Sequence, residues 1–453
     1  MTLPSDFQNN MKSLLSEDEY ESFAKALSED EQTTSIRVNC SKIGIDDIKS
    51  HFPNSTQVGW CKEGLYLNTR PQFTLDPLLH SGAYYVQEAS SMFVTHALRT
   101  FVSGPVTCLD LCAAPGGKST AVISTLPEGS QMVSNEIDRR RARILAENIT
   151  KWGFPNITVT CNAPKDFKGL RHTFDVIITD VPCSGEGMFR KDEGAVSDWS
   201  LTKVESCANL QHDIIDDIWN CLKPGGLLIY STCTFNIDED EKMVEYICDE
   251  LGATALDIPI QPEWNIHSPL TGKYPCYRFM PHYTKGEGLF MAAIRKDEDV
   301  AQPAKLKKPI KNTIKVSKDI SSWVNIPVHL EQTAEGVISA IPTSHKELHD
   351  LIVGNGLYIL QSGIELGTVK GKDIIPSHNL AISTALAENA FPRYEVTEDI
   401  ALDYLRRMAF VLPQDASTGY LLLTYKNLPL GFVKNLGNRC NNLYPQEWRI
   451  RNL

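Results

Sequence analysis

The sequence predicts an α/β protein whose central domain is built on a doubly wound, mostly parallel sheet. Between about residues 76 and 298, short β-branched and apolar runs alternate with stretches of helical periodicity. Such alternation is typical of βα units that share one parallel sheet. A glycine-rich turn follows the first of these strands, and short strands return beyond residue 320. These three observations predict a Rossmann-like domain with a smaller piece on either side.

Each strand of the central domain is predicted from its own apolar run. In chain order the runs are VTCLDL, QMVSNE, NITVTC, FDVIITD and GGLLIYST, with GLFMAAIRK as an edge strand. The helical stretch RRRARILAENITKWG separates the second run from the third. Residues 1–75 are predicted to form a small helical segment followed by the strands SIRVNC and GLYLN. The Lys- and Pro-rich stretch 299–320 is a predicted linker, and residues 321–453 form a second piece, with strands such as GLYILQSG, GYLLLTY and LGFVKN.

Composition narrows the class of protein. The chain has 453 residues, enough for two or three domains. Its apolar runs stay well short of the roughly 18 residues of a membrane span, and its N-terminus lacks a signal-peptide pattern, so we expect a cytoplasmic protein with no membrane partner. The 12 cysteines include no C-x-x-C pair, which predicts free thiols and no metal site.

The charge distribution limits how the chain could bind a nucleic acid. A formal net charge of −12 argues against a general nucleic-acid coat, because neutralising phosphates requires clustered Lys and Arg. Basic residues do cluster locally in three segments, 138–143, 189–191 and 305–318. The last segment holds six lysines and no acid, and it is either a solvated linker or an RNA contact. RNA binding would therefore use a limited surface.

The turn after the first strand, DLCAAPGGKST, ends in the Gly-Lys-Ser of a phosphate-binding loop. Such a loop requires glycine where this chain has Cys112, and Pro115 removes a backbone N–H that a phosphate would need. The turn therefore favours a ligand without phosphate. Glu136 ends the second strand 19 residues after Gly117 and suits an acid that bonds ribose hydroxyls. S-adenosylmethionine meets these conditions, although tight strand–helix packing explains the glycines equally well and helix capping is an alternative for Glu136.

Two cysteines follow neighbouring strands of the predicted sheet. Cys183 lies just after the fourth strand and Cys233 just after the fifth, so both thiols should enter one crevice. A single cysteine is more often a small buried apolar residue, but two beside a predicted cofactor turn indicate covalent catalysis. A thiolate that adds to C6 of cytosine makes C5 nucleophilic enough to accept a methyl group. Asp180, at the end of the fourth strand, is placed to meet the N3/N4 edge of the base.

At this point the motifs resemble those of a known family, the RNA 5-methylcytosine methyltransferases of the NOL/NOP/Sun type. The matching segments are DLCAAPGGKST, NEIDRRRARILAENITKWG, FDVIITDVPCSGEGMFRKDE and LKPGGLLIYSTCTFNIDEDE, with SIRVN and GAYYVQEASSM upstream. NEI, GEGMFRKD and the long C-terminal part look most like the bacterial RsmF (YebU) branch, which acts on small-subunit ribosomal RNA. The C-terminal part also resembles the PUA-like RNA-binding extension of that branch.

The resemblance implies a role for each candidate residue. Cys233 would attack C6, and Cys183 would assist release of the product. Relatives carry an acid on the adenine side after the third strand, where this chain has Ala163, so either Asn162 or a backbone group replaces it or adenine is held more loosely. The residues implied to bind S-adenosylmethionine are Cys112, Ala113, Ala114, Pro115, Gly116, Gly117, Lys118, Glu136 and Asp180.

These inferences assign a function to each part of the chain. We expect an N-terminal RNA-binding segment at 1–75, a catalytic domain at 76–298, a linker at 299–320 and a C-terminal RNA-binding region at 321–453. The expected partner of this monomer is RNA, namely 16S rRNA or the small ribosomal subunit. Two alternatives remain open: a ribosome-assembly or RNA-binding factor without catalysis, and methylation of a cytosine in another RNA such as tRNA. An ATPase is disfavoured by the glycine turn.

Overall fold

A nine-stranded sheet occupies the centre of the computed structural model, which describes residues 3–28, 33–297 and 318–451. The predicted linker and its lysines lie outside the described residues up to position 317. Within the described ranges, the structure contains no helix with both the length and the apolar character needed to cross a membrane.

The N-terminal region combines a helix pair with a small antiparallel sheet of order β2-β3-β1-β4. Its helices are α1 (Ser5–Leu14), α2 (Glu17–Ser28), α3 (Ile45–His51) and α4 (Pro77–His80). Its strands are β1 (Thr34–Val38), β2 (Thr56–Gln57), β3 (Gly64–Leu67) and β4 (Tyr84–Val86).

The central region supplies eight of the nine strands of the main sheet. Its helices are α5 (Phe93–Phe101), α6 (Gly117–Thr125), α7 (Arg139–Trp152), α8 (Glu193–Asp198), α9 (Leu201–Trp219) and α10 (Glu241–Glu250). Its strands are β5 (Thr107–Asp110), β6 (Gln131–Asn135), β7 (Ile157–Thr160), β8 (Phe174–Asp180), β9 (Leu222–Thr232), β10 (Ala253–Leu256), β11 (Tyr277–Phe279) and β12 (Leu289–Lys296). Strands β5 to β9 are parallel, as the alternating pattern predicts.

One strand of this region is misplaced by the sequence prediction. The run GLFMAAIRK is predicted at an edge, but β12 lies inside the sheet, between β9 and β10, and antiparallel to both. Residues 289–294 of β12 are all buried. A strand covered on both faces carries a continuous apolar run, and that signal was present in the sequence.

The C-terminal region forms two further four-stranded sheets, β13-β14-β16-β17 and β18-β19-β20-β21. Its helices are α11 (Lys346–Gly354), α12 (His378–Ala381) and α13 (Glu398–Arg406). Its strands are β13 (Val328–Gln332), β14 (Val337–Pro342), β15 (Ile359–Ser362), β16 (Ile364–Lys370), β17 (Asp373–Pro376), β18 (Arg393–Glu395), β19 (Gly419–Tyr425), β20 (Leu428–Asn435) and β21 (Cys440–Asn442).

The C-terminal region is joined to the catalytic sheet by β15. This strand pairs antiparallel with β7, so that Ile359 lies opposite Thr160. Leu348, Ile352 and Leu357 pack in the same hydrophobic cluster as strands β8 and β9. A chain cut near residue 298 would therefore lose one strand and part of the core of the catalytic sheet. It would also lose any RNA-binding surface of the C-terminal region.

The two ends of the chain also meet each other. Ile36 and Leu65 of the N-terminal sheet share a hydrophobic cluster with Leu421 of β19 and with Tyr444, which follows β21. Helices α1 and α2 belong to a different cluster, in which Phe7 and other apolar side chains cover the turns after β8 and β9. The segment 1–75 is therefore split between two places, one of which is beside the predicted active site.

Candidate active site

The two predicted thiols lie side by side at the carboxyl ends of β8 and β9. These strands are parallel neighbours, with Asp180 opposite Ser231, so the turns that follow them face each other. The Sγ atoms of Cys183 and Cys233 are 3.1 Å apart, and the backbone N–H of Cys233 donates to Cys183 Sγ at 3.4 Å. Both cysteines are free. One small ligand atom could therefore contact both sulfurs.

The environment of Cys183 sets its protonation state. Its contact with Cys233 Sγ, followed by burial, raises the pKa of the Cys183 thiol well above its usual range. Cys183 therefore keeps its proton near neutral pH and can donate it toward the sulfur of Cys233. The sulfur of Cys233 thus has a hydrogen-bond donor beside it.

A buried carboxylate, Glu186, ties the two cysteine turns together. Its Oε2 accepts from the backbone N–H of Phe235 at 2.7 Å and from that of Asn236 at 3.0 Å. Its Oε1 accepts from Trp199 Nε1 at 2.9 Å. Glu186 comes from the turn after β8, whereas Phe235 and Asn236 come from the turn after β9. The side chain therefore fixes the distance between the two turns.

A second carboxylate, Glu239, completes this buried network. Its Oε2 accepts from the backbone N–H of Ser184 at 3.0 Å and from Gln211 Nε2 at 2.8 Å, and its Oε1 accepts from Asn236 Nδ2 at 2.8 Å. Burial is the main cause that raises the pKa of the Glu239 carboxyl. Sequence reasoning did not single out Glu186, Asn236 or Glu239. The available signal was a set of polar residues within a few positions of each cysteine in apolar surroundings.

Behind the second turn, an ion cluster holds the end of β9. Arg278 is 1% exposed, and its Nη2 lies 3.0 Å from Asp240 Oδ2. Asp240 in turn accepts a hydrogen bond from Thr232, the residue before Cys233. Arg278 Nη1 also donates to the carbonyl of Phe235 at 3.0 Å. The backbone on both sides of Cys233 is thus anchored from within the protein.

Asp180 connects the thiol side to the predicted cofactor turn. Its Oδ2 lies 2.9 Å from Lys118 Nζ, and its Oδ1 accepts from Ser231 Oγ at 2.8 Å. Burial acts to lower the pKa of Lys118, but the Asp180 carboxylate outweighs it, so the net shift is upward. The side chain of Asp180 is 38% exposed, which leaves it accessible from the crevice. Lys118 therefore remains charged and holds the Asp180 side chain in place.

The glycine turn is held from outside by α7. Arg141 Nη2 donates to the carbonyl of Ala114 at 2.9 Å, and Asn148 Nδ2 donates to that of Pro115 at 2.8 Å. Gly116 precedes α6 with φ of 112°, a backbone conformation that residues other than glycine rarely adopt. A Cβ at Gly117 would instead meet Tyr85 Cε1 at 3.4 Å, an ordinary contact. Gly116 is therefore the glycine that this turn requires for its shape.

The other predicted residues of the turn are buried to different degrees. Ala113 and Ala114 are 5% and 8% exposed, and the backbone N–H of Ala113 donates to the carbonyl of Asn135 at 2.8 Å. Cys112 is half-buried, and burial raises the pKa of its thiol to about 12. Cys112 is therefore a packing residue of the turn rather than a third reactive thiol.

Two buried carboxylates beside the turn each have one oxygen that accepts no hydrogen bond from the described residues. Asp110 is 0% exposed; its Oδ2 accepts from Ser119 Oγ at 2.6 Å, but its Oδ1 has no partner among the described residues. Burial raises the pKa of the Asp110 carboxyl to about 7. Glu136 accepts from the N–H of Asp138 at 3.1 Å, while its Oε2 makes no hydrogen bond, although Arg141 Nη1 lies 3.3 Å away. Spare acceptors of this kind are costly unless a ligand donor meets them. The ammonium and ribose hydroxyls of S-adenosylmethionine are such donors, so these residues fit that cofactor.

On the predicted adenine side, both proposed substitutes for the missing acid are already engaged. The side chain of Asn162 uses both ends, because Nδ2 donates to the carbonyl of Tyr358 at 3.1 Å and Oδ1 accepts from the N–H of Tyr358 at 2.9 Å. The backbone N–H of Ala163 donates to Asp166 Oδ2 at 2.9 Å. Neither group is therefore available to an adenine ring without breaking a bond.

The basic segments differ in how far they face solvent. Phe189 is 1% exposed, and Arg190 beside it is committed internally, donating to Glu287 Oε2 at 2.8 Å and to the carbonyl of Gly286 at 2.6 Å. The segment 189–191 is thus mainly structural rather than a basic surface. Arg139 and Arg140, at the start of α7, are exposed.

A group with metal-binding potential lies away from the thiols, in the C-terminal region. Ligand atoms of Glu331, His349 and Asp350 all lie within 4.8 Å of one another. Lys346 is paired with both Glu331, at 3.5 Å, and Asp350. A cation of the chain therefore already offsets part of the negative charge of this cluster, and the expected lack of a metal stays a prediction.

The sheet order, the glycine turn and the acids at the strand ends define the class of the protein, a Rossmann-like methyltransferase. Three family descriptions match the chain: 16S rRNA methyltransferase RsmB/F at residues 104–311, the N-terminal domain of 16S rRNA methyltransferase RsmF at 3–89, and the methyltransferase RsmF PUA domain at 391–450. The chain belongs to the RsmF family of 16S rRNA methyltransferases.

Curated relatives match over nearly the whole chain. The ribosomal RNA small subunit methyltransferase F of Escherichia coli O17:K52:H18 is 30% identical over 436 residues, which cover 91% of this chain and 89% of that protein. The protein of the same name from Aliivibrio fischeri strain MJ11 is 29% identical, with 97% and 95% covered. The similarity therefore extends over the terminal regions as well as the catalytic sheet.

Solved structures support the same fold. A methyltransferase homologue from Pyrococcus horikoshii superimposes with a TM-score of 0.56 and 26% identity, over 65% of this chain and 95% of that one. The structure of NSun6 from Pyrococcus horikoshii with SFG has a TM-score of 0.56 and 22% identity, over 65% and 99%. At that identity the second comparison concerns the fold alone.

Proposed function

We propose that this chain transfers a methyl group from S-adenosylmethionine to C5 of a cytosine in small-subunit ribosomal RNA. The observation that carries the proposal is the 3.1 Å separation of two free thiols at adjacent strand ends, beside Asp180 and the glycine turn. Methylation of oxygen or nitrogen needs no such pair. Methylation of an aromatic carbon requires prior activation, which a thiolate supplies by covalent addition.

Cys233, which follows Thr232, is the proposed nucleophile, an assignment that rests on the resemblance to the RNA 5-methylcytosine methyltransferases. Its thiolate adds to C6 of the base, and the electron pair of the C5–C6 double bond moves toward C5. Bound S-adenosylmethionine supplies an electrophilic methyl group. The anchors on either side of Cys233, Asp240 and Arg278 among them, hold the sulfur still during this attack. A fixed nucleophile avoids part of the entropy cost of reaching the transition state.

Cys183 is proposed to act in the second half of the reaction. After methylation, C5 must lose its proton so that the double bond re-forms and the bond between Cys233 Sγ and C6 breaks. Cys183 lies close enough to Cys233 to reach atoms bonded to that sulfur. Because its raised pKa keeps Cys183 protonated in the free site, it can take the C5 proton only after its own proton has been released to solvent, and its thiolate is then a stronger base than that of an ordinary cysteine.

Asp180 is proposed to face the polar edge of the cytosine. A carboxylate can accept from the N4 amino group, and a protonated one can donate to N3 as charge develops there. Lys118 Nζ, 2.9 Å from Asp180 Oδ2, orients this side chain. The same lysine lies at the end of the cofactor turn. The ion pair of Lys118 with Asp180 therefore connects the proposed site of the cytosine with that of S-adenosylmethionine.

The remaining assignments follow from the same function. We propose that the N-terminal segment and the C-terminal PUA-like region contribute RNA contacts, with the domain division given by the sequence. We also propose that the enzyme works as a monomer, because both thiols, Asp180 and the cofactor turn all come from one chain, and that it works in the cytoplasm. The target is proposed to be 16S rRNA, either free or within the small subunit.

The two thiols can be tested separately with denaturing gels. With RNA and S-adenosylmethionine, Cys183→Ala should attack and methylate but fail to eliminate, so that the protein band shifts by the mass of the bound RNA. Cys233→Ala and the double variant should show no shifted band and no methylation. Cys221→Ala is a matched control, since this buried thiol lies at the start of β9, far from its carboxyl end.

The possible outcomes separate the competing functions. An adduct in Cys233→Ala alone would show that Cys183, the thiol that follows Pro182, is the nucleophile, as in DNA cytosine methyltransferases. No adduct in any variant, with no 5-methylcytosine in recovered RNA, would favour a binding or assembly factor. Bisulfite mapping of ribosomal and transfer RNA from a deletion strain would identify the modified cytosine and distinguish a ribosomal target from tRNA.

A further inference from the structure

Tyr358 of the C-terminal region lies at the edge of the catalytic sheet where the cofactor residues are found. Strand β15 runs antiparallel to β7, so the residue before β15 stands at the carboxyl end of β7. The backbone N–H of Cys161 donates to the carbonyl of Tyr358 at 3.0 Å. Because β5, β6 and β7 are parallel, this is the same end of the sheet that carries Asp110 and Glu136.

The main chain of Tyr358 is fixed, but its side chain is not covered. Both hydrogen-bonding ends of Asn162 hold the Tyr358 N–H and C=O. Tyr358 is nevertheless 57% exposed, which makes it one of the most exposed large apolar residues in the described ranges. A rigid backbone with an exposed aromatic ring is a common arrangement for a ligand contact, because little entropy is lost on binding.

A second exposed apolar side chain stands on the opposite side of β7. Ile137 follows Glu136 at the end of β6 and is 62% exposed. The two neighbouring ends are tied together, because the N–H of Glu136 donates to the carbonyl of Thr160 at 3.2 Å. Strands β6 and β15 flank β7, and neighbouring strands lie about 4.8 Å apart, so the backbones at the ends of β6 and β15 are roughly 10 Å apart. That spacing leaves room for a planar ring between an aliphatic and an aromatic side chain.

We propose that Tyr358 forms one wall of the site for the adenine ring of S-adenosylmethionine, opposite Ile137. The inference rests on the proposed cofactor. It accounts for the two observations that the adenine side lacks an acid at Ala163 and that Asn162 is used to hold Tyr358 rather than to meet a ligand. Recognition of the base would come from ring contact instead of a carboxylate. The C-terminal region would then complete the cofactor site as well as binding RNA.

The inference can be tested by binding alone, without methylation. Calorimetry would measure the affinity of the full-length chain for S-adenosylhomocysteine and for 5′-methylthioadenosine, which keeps the adenosine but lacks the amino-acid end. Tyr358→Ala should weaken both ligands by roughly tenfold, as expected for loss of an aromatic ring that contacts a base. Tyr358→Phe should bind within about twofold of the unsubstituted chain, because the ring is retained.

The control for Tyr358→Ala is a substitution at an equally exposed residue of the same region. Met408→Ala changes a residue of equal exposure, 57%, in the same C-terminal region and should leave both affinities unchanged. Unchanged affinities in Tyr358→Ala, or weakening of S-adenosylhomocysteine but not of methylthioadenosine, would overturn the inference. Failure of the unsubstituted chain to bind either ligand would overturn the proposed function and this inference with it. Because the bonds to Asn162 use only the main chain, Tyr358→Ala should keep the melting temperature of the parent protein.

Discussion

The two ends of the chain support opposite sides of the active site by different interactions. On the thiol side, Phe23 of α2 packs edge-on against Phe235, with ring centroids 5.1 Å apart, and Phe7 of α1 packs against Phe189 at 5.1 Å. On the cofactor side, β15 is attached to β7 by main-chain pairing together with polar side-chain bonds, among them Thr158 Oγ1 to Ser362 Oγ at 2.7 Å and the bonds of the Asn162 side chain to Tyr358.

This difference has a consequence for how each side responds to change. Aromatic packing depends on the shape of individual side chains, so one truncation can loosen a catalytic turn. Hydrogen-bonded strand pairing depends less on the shape of a side chain, so the cofactor edge should tolerate substitutions in β15 that keep its main-chain bonds and the bond of Ser362 to Thr158. The thiol side should therefore be the more fragile of the two under single substitutions.

The largest effect is expected from Phe23→Ala, which tests the fragile side directly. Removing a fully buried aromatic ring costs about 3–5 kcal/mol of stability. Because Phe23 contacts Phe235, two residues after Cys233, the variant should also give less RNA adduct when combined with Cys183→Ala. Urea unfolding and the denaturing gel measure the two effects, and cofactor binding should be retained.

The control for that prediction lies on the same helix. Glu21→Ala changes an exposed residue of α2 and should alter neither stability nor adduct yield. If a folded Phe23→Ala protein formed as much adduct as its parent, the helix pair would contribute stability only, and the contrast between the two sides would be lost.

An intermediate effect is expected on the cofactor side, from the buried carboxyl of Asp110. Its pKa is about 7 in the folded chain because burial disfavours the charged form, whereas an exposed aspartate has a pKa near 3.9. A raised native pKa means that stability is lost as pH rises from about 4 to 7, since the unfolded chain releases the proton more readily. Asp110→Asn should therefore gain stability over the parent across that interval.

Cofactor affinity gives the second half of this test. S-adenosylmethionine carries positive charge, which favours the ionised carboxylate, so binding to the parent should strengthen as pH rises through about 7 and then level off. Asp110→Asn should bind more weakly and with a flatter pH profile. Calorimetry at several pH values measures both, and parallel profiles for the two proteins would exclude Asp110 as the titrating group.

The smallest effect is expected from Arg139 and Arg140, exposed residues at the start of α7. Replacing both with Glu should weaken RNA binding and lower the slope of affinity against salt, by about 0.7–0.9 for each lost phosphate contact. Lys168→Glu is the control, because Lys168 pairs with Asp217 of α9 on the opposite face of the sheet. A slope unchanged from the parent would place the RNA contacts elsewhere, with the C-terminal segment VKNLGNR as the next candidate.

Sequence patterns predicted which segments form strands and helices, but they did not predict which distant strands pair with one another. The parallel strands β5 to β9 follow from apolar runs between helical stretches, and their strand ends locate Cys183 and Cys233. The strand in GLYILQSG was predicted as well, but not its pairing with β7, from which it is separated by about 200 residues. Periodicity reports which faces of a segment are buried, and it contains no information on which distant segment covers the edge.

The buried polar network shows a similar limit. Glu186 and Glu239 lie within a few residues of the two cysteines in the sequence, yet their role depends on backbone N–H groups contributed by the opposite turn. A carboxylate in sequence is usually an exposed residue, and only burial with specific donors turns it into a structural anchor. The same applies to Arg190, which sequence charge suggested as part of a basic surface and which is instead bound to Glu287.

By itself, the sequence determined the α/β class, the glycine turn, the two strand-end cysteines and the acids at Glu136 and Asp180, because each depends on local patterns and on the rule that parallel strand ends meet at one edge. The tertiary structure alone decided that the sulfurs stand 3.1 Å apart, that α1 and α2 cover the thiol turns, and that β15 completes the cofactor edge. These contacts join segments far apart in the chain. Their geometry follows from how whole layers pack, which local composition does not specify.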